Sequence, residues 1–129
     1  MTIWIAILAA ALNGLLAVAA SAAAVHLFAG DPHRLALMST GAQYALYHAV
    51  ALLAVAALAD RATAGGRFLA AAAWLFIAGT VLFSGSLYLL ALTGSRVLVW
   101  ITPFGGIAFM LGWAALALHA GRLCYRRGN

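Results

Sequence analysis

The side chains of this chain that could do chemistry are few and unevenly spread. Gln43, Tyr44, Tyr47 and His48 crowd into Thr40-Gly-Ala-Gln-Tyr-Ala-Leu-Tyr-His48, Ser84, Ser86 and Tyr88 form a second polar group, and Asn13 stands alone. Tyr44 and His48 are four residues apart with Tyr47 beside them, so on a helix the three share a face. Serine, histidine and aspartate together raise the question of hydrolysis. The chain contains no G-x-S-x-G elbow, Ser84-Gly-Ser86 falls inside an apolar run, and the only acids, Asp31 and Asp60, lie outside the runs where neither can orient His48. No enzyme activity is expected. His26, Asp31 and His33 come nearest to a metal-binding group, but their spacing matches no established ligand template and they are read as interfacial polar residues. Cys124 is the single cysteine, which excludes an internal disulfide and any thiolate cluster; it is read as a bystander thiol. No cofactor is expected.

These residues sit in a chain built for lipid. Of 129 residues 67% are hydrophobic and 7% charged, which lies outside the range of soluble domains. The charges are seven arginines and the two aspartates, and they punctuate the apolar runs without interrupting them. Four runs remain, each long enough to cross a hydrocarbon core at about 20 residues per helix. The basic excess, a formal charge of +5, then points to lipid headgroups as the partner and argues against nucleic acid, since no soluble basic domain exists.

The expected architecture is an all-α membrane protein, a single antiparallel bundle of four transmembrane helices over residues 1–129, at about 3–28, 32–58, 68–92 and 103–121. The first run is not read as a cleaved signal, because it lacks a basic leader and is longer than a signal core. Its pairs Ala10/Gly14 and Ala17/Ser21 have the small-xxx-small spacing that permits close helix contact. Asp31-Pro32 reads as a cap and first helical residue, Asp60 to Arg67 as a polar loop, and Thr93-Gly94-Ser95-Arg96 as a stop. Residues 97–101 are expected to lie shallow, anchored by Trp100, with Thr102-Pro103 capping the fourth helix; the alternative is one longer helix kinked at Pro103. Four crossings put both termini on one side. That side carries Arg61, Arg67, Arg122, Arg126 and Arg127 against Arg34 and Arg96 on the other, which makes the termini cytoplasmic in a bacterial inner membrane.

Depth then limits which polar groups can meet. At 1.5 Å per residue, Gln43 and Tyr44 fall about 10 to 12 Å below the outer boundary, level with Ser84 and Ser86, while His48 and Asn13 fall near the midplane. Polar groups in hydrocarbon are costly, so Asn13, Gln43, Tyr44, Tyr47, His48, Ser84, Ser86 and Tyr88 are expected to turn inward as a two-tier core in which each finds a partner or a trapped water, with the second and third helices as close neighbours. His26 and His48 are separated by about 14 Å along the normal, too far for two axial haem ligands. A proton path through His26, His48 and His119 lacks a bridging carboxylate.

Three ordered motifs carry a resemblance. Gln43-Tyr-Ala-Leu-Tyr-His48-Ala-Val-Ala-Leu52, then Leu82-Phe-Ser-Gly-Ser-Leu-Tyr88-Leu-Leu-Ala-Leu-Thr-Gly94, then Ile101-Thr-Pro-Phe-Gly-Gly106 with Gly112-Trp113 resemble the domain of unknown function 423 family. These are small inner-membrane proteins of the YgdD and YwdK type, with a mitochondrial branch. The resemblance spans about residues 40–113 and implies a four-helix membrane protein without an established activity. One departure is Ser21-Ala-Ala-Ala-Val-His26, where the family has a glycine-rich GAFGAH-type segment. Residues and resemblance together support a structural or accessory bundle that works through contacts with membrane lipids, with itself or with a larger membrane complex. The alternative is a binder or carrier of a small amphipathic ligand, a lipid or quinone, in an outward cleft lined by Gln43, Tyr44, His48, Ser84 and Ser86.

Overall fold

A chain in hydrocarbon must satisfy its backbone internally, and these apolar runs do so as helices. The computed structural model describes residues 3–61 and 66–128, with side chains described as far as Tyr125. Residues 62–65 of the polar loop and the side chains of Arg126 and Arg127 lie outside the described part. Helix α1 covers Ile3–Leu27 and α2 covers Pro32–Arg61. Asp31 caps α2: its Oδ1 accepts the backbone N–H of Arg34 at 3.0 Å and its Oδ2 pairs with the same residue's Nε at 3.3 Å.

The third span, Gly66–Thr93, is broken in its middle. Helix α3 (Gly66–Gly79) passes into a π-helical turn, Thr80–Ser84, before α4 (Gly85–Thr93) resumes. The Thr80 hydroxyl donates to the Phe76 carbonyl at 2.9 Å, and the Gly85 N–H reaches back five residues to the Thr80 carbonyl. The threonine bond to the carbonyl one turn back thus sits where the regular ladder gives way to the wider turn. Helix α4 ends at Gly94, whose φ of +71° is left-handed and whose N–H closes on the Leu90 carbonyl at 2.8 Å.

A short 3-10 helix, Arg96–Trp100, then leads into α5, Thr102–Gly128. Pro103 does sit in the first turn of α5, but Thr102 is no cap for it. Its hydroxyl points back instead, lying 3.2 Å from the Leu98 carbonyl and 2.8 Å from the Ser86 hydroxyl. Helices α2 and α5 also run further than the spans expected from sequence, α5 continuing through Gly121, around which nothing crowds the backbone.

Among the described residues these make four membrane-long helices and no strand, arranged antiparallel with both termini at one end. The packing is uneven. Helix α1 docks almost wholly on α2, through Ala6, Ala10, Ala17 and Ala24, a stripe of methyl groups that lets the two backbones approach. Helices α3 and α5 form the second close pair, and α2 joins the two pairs by packing on the whole third span. Helices α3, α4 and α5 interlock by an exchange of ring and glycine. Phe76 faces Gly112, Gly79 faces Phe109, the Phe83 backbone faces Gly105, and Ser86 meets Thr102. Partners rise on one helix as they fall on the other in steps of three and four residues, so a single antiparallel register accounts for all four contacts. The core follows from it: Leu52, Val55, Leu69, Ala72, Ala73, Phe76 and Phe109 make one buried cluster, and Ala24, Phe28, Met38 and Ala91 a smaller one nearer the other end.

Candidate functional site

His48 is the polar centre of this core, 5% exposed. Its Nδ1 lies 2.8 Å from the Tyr44 carbonyl, which can only accept, so Nδ1 carries a proton and in the neutral imidazole Nε2 holds the lone pair. The imidazole lies flat on Phe109, with centroids 3.5 Å apart and planes 9° apart, while Phe76 at 5.2 Å and Trp113 at 6.3 Å close in around it. Nε2 has no partner among the described residues, and the same holds for Ser84 Oγ and Tyr88 OH. The Tyr88 ring fills the space over Gly41, where a Cβ would come within 2.8 Å of it, which brings α2 and α4 together at that level.

The inward turn expected of the polar groups is therefore only partly realised. His48, Ser84 and Ser86 are buried, but Gln43 and Tyr47 are exposed, Tyr44 is 40% exposed and Asn13 is half-buried. Gln43 borders a shallow groove shared with Ala17, Val18 and Ser21 of α1. The reason is angular: five residues from His48, Gln43 stands about 140° around the helix from it, and the small residues Gly41, Ala45 and Ala49 decide which face goes in. Tyr44 still contributes packing, its ring 4.7 Å from Phe83.

Direct partners are few: among the described residues His48 Nε2, Ser84 Oγ and Tyr88 OH have no protein partner. Among the described residues the buried hydroxyls form one side-chain pair, Ser86 with Thr102, where two hydroxyl protons serve three short contacts, to each other and to the carbonyls of Phe83 and Leu98. Thr80 and His119, which the sequence reading did not place in the core, are buried as well. His26, Asp31 and His33 do not assemble: among the described residues no group of three such side chains stands close enough to hold a metal ion, and the Asp31 carboxylate is engaged by Arg34.

Among the described residues Gln43, Tyr44, His48, Ser84 and Ser86 line no common cleft, because Phe76, Phe109 and Trp113 fill the space about His48 and Gln43 faces another way. A large opening lies elsewhere. A cavity of about 920 Å³ lies at the end opposite the termini, between the start of α2, the end of α4 and the 3-10 segment, and none of those five residues lines it. Arg34, Arg96 and Trp100 do, together with Phe83 and Leu87. From sequence these arginines were orientation charges and Trp100 an anchor; the fold gathers them into one place.

This geometry can be set beside known proteins. A family model described as "Protein of unknown function (DUF423)" matches residues 20–106. The chain belongs to that family. Relatives of this DUF423 protein include the UPF0382 membrane protein YwdK of Bacillus subtilis, 44% identical over 116 residues, with 88% of this chain and 94% of the relative covered. A UPF0382 membrane protein of Haemophilus influenzae is 44% identical, covering 83% and 86%. The UPF0382 inner membrane protein YgdD of Escherichia coli is 36% identical over 88% of this chain and 87% of its own length. No solved structure matches significantly. The motif resemblance and the comparisons agree, and this is an integral membrane protein of a family without an established activity.

Proposed function

We propose that this DUF423 protein is a structural or accessory component of the bacterial inner membrane, acting through lateral contacts in the bilayer, with itself or a larger complex, and not through catalysis. The observation that carries this reading is the closure around His48. An imidazole stacked on Phe109 and walled by Phe76 and Trp113 has no room for a substrate, and no carboxylate reaches it. What remains for function is surface. Helix α1 spends only alanines on the interior and turns Leu8, Leu12, Leu15 and Leu16 outward. The proposed orientation has the termini cytoplasmic, supported by five arginines at that end against Arg34 and Arg96 at the other.

A photo-reactive side chain introduced at Leu15, which is 67% exposed, tests the reading in intact membranes. The expected product is one discrete adduct with the mass of two chains or of one chain plus a defined membrane protein, matched by native mass spectrometry from mild detergent. A chain that stays monomeric and uncrosslinked in both measurements would remove the proposal.

A further inference from the structure

The cavity opposite the termini lies outside the reading just given and has its own chemistry. Its lining combines two exposed arginines, Arg34 and Arg96, with the apolar side chains of Leu37, Phe83, Leu87 and Leu90. We propose that it binds an anionic phospholipid of the surrounding leaflet, with the phosphodiester between the two arginines and the upper part of an acyl chain along the apolar wall.

Charge is the first argument. Among the described residues the only acid near this cavity is Asp31, and it is paired with Arg34 at 3.3 Å while half exposed, the kind of pair that adds little and exchanges readily. Arg96 is exposed and has no ion-pair partner among the described residues. Two planar guanidiniums lining one cavity suit a phosphodiester, which takes two parallel N–H bonds from each.

Size is the second. At about 920 Å³ the space far exceeds an inorganic anion and falls at the upper end of pockets for molecules of several hundred daltons, so an apolar tail must accompany the charge. Depth is the third: Arg34, Arg96 and the 78% exposed Trp100 lie at helix ends, the level of headgroups, while Leu87 and Phe83 lie about two and three turns deeper along the third span. Gly94 turns the chain left-handed between α4 and the 3-10 segment, and a Cβ there would stand 3.9 Å from Arg34 Nη2.

The test is native mass spectrometry of the full chain released from nanodiscs of equal phosphatidylglycerol and phosphatidylcholine, with a parallel set containing oleate. One phosphatidylglycerol should stay bound in preference to phosphatidylcholine. Arg96→Gln should lower the retained fraction about tenfold, the loss of one charge-assisted contact, whereas Arg122→Gln at the other end should leave it unchanged. Equal retention of the two phospholipids by the unaltered chain overturns the proposal without reference to any variant. An Arg122→Gln loss as large as that of Arg96→Gln also overturns it, by reducing the effect to general surface charge. Retention of oleate with neither phospholipid would overturn it in favour of a carboxylate amphiphile. Thermal unfolding gives a second measurement: added phosphatidylglycerol should raise the Tm of the unaltered chain more than that of Arg96→Gln, and an equal rise in both overturns the proposal.

Discussion

A histidine at the centre of a membrane bundle invites a chemical role, and its contacts argue for a packing one. The His48 ring satisfies one nitrogen on its own helix, at the Tyr44 carbonyl, and spends the rest of its surface on aromatic faces from α3 and α5. Its Nε2 is buried without a partner among the described residues, a state that costs about 1–3 kcal/mol. Replacing the imidazole by a ring of similar shape removes that cost along with the bond to Tyr44. His48→Phe should therefore hold stability within about 1 kcal/mol, whereas His48→Ala, which leaves a hole, should lose about 2–4 kcal/mol. Thermal unfolding in detergent measures both. A His48→Phe variant as unstable as His48→Ala would mean that the lone pair has a partner and a task.

At the scale of elements, the third and fourth spans are held in register by rings seated on glycines. A Cβ at Gly112 would come within 2.6 Å of the Phe76 ring, and a ring locked among Leu52, Leu69 and Phe109 has little freedom to move away. Gly112→Ala should destabilise by about 1–3 kcal/mol through overpacking. Gly14, on α1, has nothing within 4 Å, so Gly14→Ala should be neutral or slightly stabilising. Measured side by side, equal effects would show that the ring-on-glycine contacts do not set the packing. The Phe76/Phe83 and Gly105/Gly112 spacings were visible in the chain, each seven residues apart, but nothing local paired one set with the other. The π-helical turn at Thr80–Ser84 was equally hidden, because a threonine in an apolar run is compatible with a regular helix, as Thr93 is in α4 with the same hydroxyl bond one turn back.

For the molecule as a whole, charge distribution is the handle on orientation. Cys124 is the only cysteine and is exposed near the C-terminal end of α5, so a membrane-impermeant maleimide reports which side that end occupies. With the termini cytoplasmic, Cys124 should resist labelling in intact spheroplasts and label fully after lysis, while Ser95→Cys in a Cys124→Ser background should label before lysis. The reverse pattern would invert the orientation, and with it the leaflet from which the arginine-lined cavity draws its ligand.

The sequence by itself determined that this chain lives in a bilayer, crosses it four times, begins its second helix at Asp31-Pro32 and ends its third at Gly94, because hydropathy, charge placement and capping are properties of short stretches read along the chain. It also placed His48, Ser84 and Ser86 among the groups that must hide. Only the tertiary structure decided that Gln43 stays outside, that His48 is sealed by Phe109, and that Arg34 and Arg96, 62 positions apart, line one cavity. Which face of α2 turns inward depends on which neighbours press against it, and a cavity exists only where several helices fail to meet. Neither is written in any one segment.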